Sequence, residues 1–118
     1  PRTPLTAGGP SAPPRHRSAY GWRAKIGLIV PPTNTVNEAE WMRMVPEGVT
    51  FHTVRMPLHA DATSEAGKRA LHDDIAKAVA DLAKARVDVV AYGCTAGSMV
   101  SPPSALPDAI ARLSGCAG

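Results

Sequence analysis

Negative charge is missing from the first third of this 118-residue chain. No Asp or Glu occurs before Glu38, and the charges there are Arg2, Arg15, Arg17, Arg23 and Lys25. Of 13 basic residues these 5 leave 8 against 10 acids, a balance of −2 from Glu38 onward, so the net +3 comes from the beginning of the chain. A pI near 9.2 therefore carries no argument for nucleic acid. Aromatics are only 4%, too few to build a base-stacking platform, so no nucleic-acid partner is expected. The two cysteines, Cys94 and Cys116, are too few for a disulfide scaffold and share no C-x-x-C or Cys/His spacing, so no metal is expected. No apolar run approaches the roughly 20 residues that a membrane-crossing helix needs, so no membrane is expected as a partner. Neither G-x-G-x-x-G nor G-x-x-x-x-G-K-[ST] occurs, and no cofactor is expected. No Ser-His-Asp or paired-carboxylate arrangement can be defended.

Proline is plentiful but uneven, with 5 of 12 in the first 14 positions. Residues 1–21 read as a disordered Pro/Arg-rich tail and 22–118 as one α/β domain. The tail has no apolar core of the kind a secretory signal needs, and its prolines break the amphipathic helix of an organelle transit peptide. A cytoplasmic location is expected. The first residue is Pro1, which suggests a processed, trimmed or fragmentary chain.

Beyond the tail the punctuation is regular. Lys25–Val30 is a short apolar run, consistent with a buried parallel strand, and Pro31-Pro32-Thr33-Asn34 stops it. Thr35 and Glu38 are spaced as a capping box for a helix carrying Trp41, Met42 and Val45, which ends at Pro46-Glu47-Gly48. Val49–Arg55 alternates as a second strand. From about 64 to 86, Leu71, Ile75, Val79 and Leu82 share one helical face. Val87–Tyr92 is a third buried strand. After the turn Gly93–Ser98, Leu106, Ile110 and Leu113 mark a last helix stopped by Gly115. The order β-α-β-α-β-α predicts a three-layer parallel sheet with strand order 2-1-3 and right-handed crossovers.

Ligands of open α/β sheets bind beyond the carboxyl ends of the strands. Two loops lie at such ends, Pro31–Thr35 and Gly93–Ser98, and in a 2-1-3 sheet they face one crevice. Each leads into a helix, whose free N–H groups favour a carboxylate or phosphate. Cys94 stands after a strand and near a helix start, a position that lowers thiol pKa and suits a nucleophile, although a free cysteine is commonly a buried filler. Asn34 suits an anion site, but equally a turn. His52 reads as a strand-face residue and His59 as able to reach the crevice. His72, Asp73 and Asp74 read as a solvated helix side. Met42, Met44, Met56 and Met99 read as packing residues.

Ile26–Thr35, Phe51–Met56 and Asp88–Ser98, with their Pro-x-x-Asn-Thr and Tyr-x-Cys-Thr segments, occur in this order over about residues 22–115. This resembles the maleate cis-trans isomerase and arylmalonate decarboxylase branch of the aspartate/glutamate racemase superfamily. The resemblance implies two similar α/β halves that face each other across the active site, with a cysteine position in each. It implies Cys94 as the nucleophile that adds to a double bond, Asn34 as a ligand for one substrate carboxylate and Thr95 as part of the anchor for the second. The substrate class implied is a small dicarboxylate. The decarboxylases usually have a small residue where Cys94 stands, and the amino-acid racemases usually have a glycine-rich first loop. An isomerase is thus favoured over a racemase-like or decarboxylase-like enzyme.

Family chains run to about twice this length. The sequence therefore reads as the N-terminal half of such a protein, truncated, without the partner cysteine, and Cys116 has no turn motif to replace it. A non-catalytic binding module or inactive fragment is the alternative. About 95 residues bury only about 60–65% of their unfolded surface. Strand three, left as an edge, is expected to drive aggregation or homodimerisation.

Overall fold

The computed structural model describes residues 18–59, 61, 63–99, 101–115 and 118. Residues 1–17 of the expected tail, and Cys116, lie outside them. Seven elements follow in order: β1 (Ala24–Val30), α1 (Asn37–Met44), β2 (Val49–Arg55), α2 (Glu65–Lys84), β3 (Val89–Tyr92), α3 (Thr95–Ser98) and α4 (Ala105–Ser114).

The three strands form one parallel sheet in the order β2-β1-β3, as the sequence pattern predicts. β1 is central and the most apolar, and Leu28, Ile29 and Val30 have no exposed surface. Ile29 lies opposite Val54 of β2 and Tyr92 of β3, which brings the carboxyl ends of β1 and β3 side by side. Asp88 fixes the other end of this pairing. Its carboxylate accepts from the Lys25 amide at 2.7 Å, and its own amide donates to the Lys25 carbonyl at 2.7 Å. Val87 is buried but precedes the strand, so β3 is shorter than its apolar run.

The core lies on one face of the sheet. Leu71, Ile75, Ala78, Val79 and Leu82 of α2, together with Leu106 and Ile110 of α4, enclose Ile29, Val90 and Met56. The periodicity predicted these helical faces because burying them is what stabilises short helices. Gly27 stands beneath α2, where a Cβ would come within 2.9 Å of Leu82. Ser64 caps α2 by accepting from the Gly67 amide at 3.0 Å. Gly115 ends α4 in the left-handed region, φ 72°, as expected of a terminal glycine.

The other face carries α1. Trp41 meets Phe51 of β2 edge-on, with centroids 5.7 Å apart, yet no residue of α1 is buried. Of the four methionines expected to pack, only Met56 does so. Met42, Met44 and Met99 are 73%, 67% and 78% exposed. Methionine spacing alone could not separate a covered helix face from an uncovered one.

Among the described residues β3 pairs with β1 alone, which leaves it the edge strand, as expected. A groove of about 720 Å³ runs along that edge, between Val89, Ala91 and Tyr92 and the start of α4. Among the described residues no helix is long and apolar enough to cross a membrane.

Candidate functional site

Parallel pairing of β1 with β3 sets the two loops against each other, and the Gly93 amide donates to the Ile29 carbonyl at 2.7 Å. Between them lies a cleft of about 460 Å³ lined by Asn34, Asn37, Tyr92, Cys94, Thr95 and Ser98, with Pro31, Gly93 and Met99 at its margins. Cys94, Asn34 and Thr95, singled out separately in the sequence, thus meet at one crevice.

Asn34 is held by a turn of its own making. Its Oδ1 accepts from the Val36 and Asn37 amides, both at 3.0 Å, and its Nδ2 donates to Asn37 Oδ1 at 2.6 Å. It therefore performs the capping that the sequence assigned to Thr35 and Glu38. Glu38 is drawn elsewhere, into an ion pair with Arg55 at the end of β2. The same guanidinium donates from Nη1 to the carbonyls of Pro31, Pro32 and Asn34, the last at 2.7 Å. A residue 21 positions away thus fastens the loop that carries Asn34.

Cys94 leads directly into α3, a helix of only four residues. This single turn lies within the expected Gly93–Ser98 turn, and the last helix follows as α4. The Gly97 amide donates to Cys94 Sγ at 3.4 Å, and Ser98 Oγ donates to the Cys94 carbonyl at 2.8 Å. Thr95, the first residue of α3, is exposed at the cleft.

Asn37 and Tyr92 were given no role from the sequence. Asn37 had a signal in its three-residue spacing from Asn34 across a helix start. Tyr92 stands in the Tyr-x-Cys-Thr segment itself. Burial first, then the charge of the neighbouring Cys94, pushes its phenol above the usual range.

The remaining candidates lie elsewhere. His59 does not line the cleft. Its Nε2 meets Asp74 of α2 at 2.5 Å, which also takes Asp74 out of the purely solvated set. His52 is exposed and bonds Thr50 at 2.9 Å. His72 and Asp73 are exposed, as read. Among the described residues no group of three or more His, Cys, Asp or Glu could hold a metal ion.

The lining carries no charged side chain, no histidine and no second thiol among the described residues. It offers neutral donors: two carboxamides, three hydroxyls (Tyr92, Thr95 and Ser98) and backbone amides, with one sulfur between them. Such a set can bind an anion by hydrogen bonds and attack it from one side.

No family model matches the sequence. The chain is 34% identical over 97 residues to a maleate isomerase from Geobacillus stearothermophilus, a match that takes in 75% of this chain and 38% of that protein. The maleate isomerase Iso from Pseudomonas putida S16 aligns in structure with a TM-score of 0.59 and 25% identity, over 78% of this chain and 40% of that one. A cysteine-to-alanine variant of Iso, crystallised with maleate, aligns equally well. The chain thus spans about two fifths of the length of these relatives. The likeness bears out the resemblance to the maleate isomerases drawn from the loops and strands.

Proposed function

We propose that this chain is the N-terminal half of a cytoplasmic, cofactor-independent cis-trans isomerase that converts a small dicarboxylate of the maleate type. The observation that carries this reading is the meeting of Cys94, Asn34 and Thr95 at one cleft, in a fold like that of maleate isomerases.

The chemistry follows from the donors. A cis dicarboxylate enters with one carboxylate toward the Asn34 loop and the other toward Thr95 and the α3 turn. Hydrogen bonds from neutral donors to a charged acceptor contribute about 1.5–3 kcal/mol each. The Cys94 thiolate adds to one alkene carbon. The C–S bond forms as the π pair moves onto the adjacent carboxylate, and the former double bond becomes single. Rotation about it brings the second carboxylate to the trans position. The electron pair then returns, the C–S bond breaks, and the trans alkene leaves with the sulfur again a thiolate. Every electron pair is restored, so no redox partner is required.

The match to only about two fifths of the relatives' length supports the reading in which the opposite wall comes from residues outside this chain. The test is Cys94→Ser in an active protein of the relatives' length that contains this chain. Conversion of maleate to fumarate is expected to fall to background while maleate binding persists. Near-normal turnover would overturn the assignment.

A further inference from the structure

Tyr92 is the one described residue whose side chain holds a fully buried polar atom without a hydrogen-bond partner. Its phenol ends beside the Cys94 thiol and the α3 turn. A buried hydroxyl left unpaired is costly, and native structures rarely keep one without a use. Space has been left for it. At Gly97 a Cβ would stand 2.1 Å from Tyr92 Oη, a separation no alanine could accept. The amide of that same Gly97 already donates to Cys94 Sγ at 3.4 Å. One glycine thus aims an N–H at the sulfur and opens the place where the phenol sits.

A neutral thiol is a weak acceptor and gives the phenol little reason to be there. A thiolate accepts strongly, and hydrogen bonds to a charged partner are about twice as strong as neutral ones. We infer that Tyr92 is a positioning residue for Cys94, its hydroxyl donating to the thiolate so that two donors, Tyr92 Oη and the Gly97 amide, hold the sulfur in its charged form. The phenol is suited to this role. Burial and the adjacent negative charge both oppose its own ionisation, so it keeps its proton and remains a donor when the sulfur has lost its own. The thiol proton goes to solvent, and no proton passes to Tyr92. Gly93, between the two residues, lines the same cleft.

This inference deepens the isomerase reading and takes from it only the importance of Cys94. Its test needs no isomerase activity. The rate of thiol–disulfide exchange with a neutral dipyridyl disulfide is measured against pH, in a Cys116→Ser background so that Cys94 is the only thiol. Tyr92→Phe removes the hydroxyl and keeps the ring. Losing the donor should reduce the thiolate fraction at pH 7 about tenfold, equivalent to about 1.4 kcal/mol. The more basic thiolate is also the better nucleophile, by about threefold for that change, given a Brønsted slope of about 0.4–0.5. The profiles should therefore cross. The variant reacts about threefold more slowly at neutral pH and about threefold faster on the alkaline plateau.

A phenol that only packs would leave the two profiles superimposed, and that result overturns the proposal. A uniform change without a crossing overturns it as well. Tyr92→Phe keeps the ring that fills the site, so it should fold and melt close to the parent at neutral pH, and a variant that fails to fold would refute the premise. Gly97→Ala, which drives its methyl into Oη, should reproduce the slow arm of the profile. If the profiles cross yet a protein of the relatives' length shows no maleate turnover, the isomerase reading fails and this one stands.

Discussion

Replacing Asn34 separates two roles that the sequence left open. The Asn34 carboxamide caps the first turn of α1 through two acceptor bonds at 3.0 Å, and it also lines the cleft. Asn34→Ala removes both bonds. Loss of a side-chain cap costs about 0.5–2 kcal/mol. The cost should lie in the upper part of that range because α1 buries no residue of its own to compensate. For a domain of this size each kcal/mol lowers Tm by about 4–8 °C. Asn34→Asp is the informative partner. A carboxylate keeps the acceptor and adds a favourable negative charge at a helix start, so stability should be retained. It also loses the Nδ2 donor, which now meets Asn37, and repels an incoming carboxylate. Thermal unfolding and calorimetric titration with maleate, applied to both variants, give the answer. The alanine variant should melt several degrees lower, and both should bind maleate more weakly. Equal destabilisation by Ala and Asp would refute the capping argument, and undiminished maleate binding by both would refute the binding role.

Three further outcomes are expected. Arg55→Lys keeps the charge but not the fork that spans three carbonyls and Glu38, so maleate affinity should fall several-fold with little change in Tm, whereas a fully restored affinity would show that charge alone suffices. The raised Tyr92 phenol means that the folded state holds its proton after the unfolded chain has released it, so stability is fully present below about pH 10 and is lost above it. Alkaline denaturation monitored by circular dichroism should shift upward in Tyr92→Phe, and an unshifted curve would contradict this. The open β3 edge and its apolar groove should make the isolated chain associate as concentration rises, with no conversion of maleate, and light scattering that shows a monodisperse monomer would refute the edge argument.

Local patterning fixed much of the fold. The apolar run ending in Val30, the alternation from Val49 to Arg55, and the i, i+4 spacing through Leu71, Ile75, Val79 and Leu82 each dictate one element. In each case burial of one stripe or one face outweighs every alternative, and the same β-α-β order leaves a parallel sheet as the only economical packing. The loops after β1 and β3 were legible for the same reason, since they stand at strand ends and drew attention to Cys94 and Asn34; Thr95, and a role for each of the three, came only from the family resemblance.

What the sequence could not decide was competition for partners. Thr35 and Glu38 fit a capping box, but Arg55 arrives from β2, takes Glu38 and three loop carbonyls, and leaves Asn34 to cap α1. His59 was free to turn to the crevice until Asp74 of α2 came within 2.5 Å. Met42, Met44 and Met99 look like core by type and are exposed because nothing in the described chain covers their surfaces. Tyr92 reads as an ordinary strand residue until Gly97 folds over it and shows its hydroxyl enclosed beside the sulfur. Periodicity and turn chemistry report on neighbours in the chain, whereas a hydrogen-bonding group settles on whichever partner the packing of distant elements brings nearest.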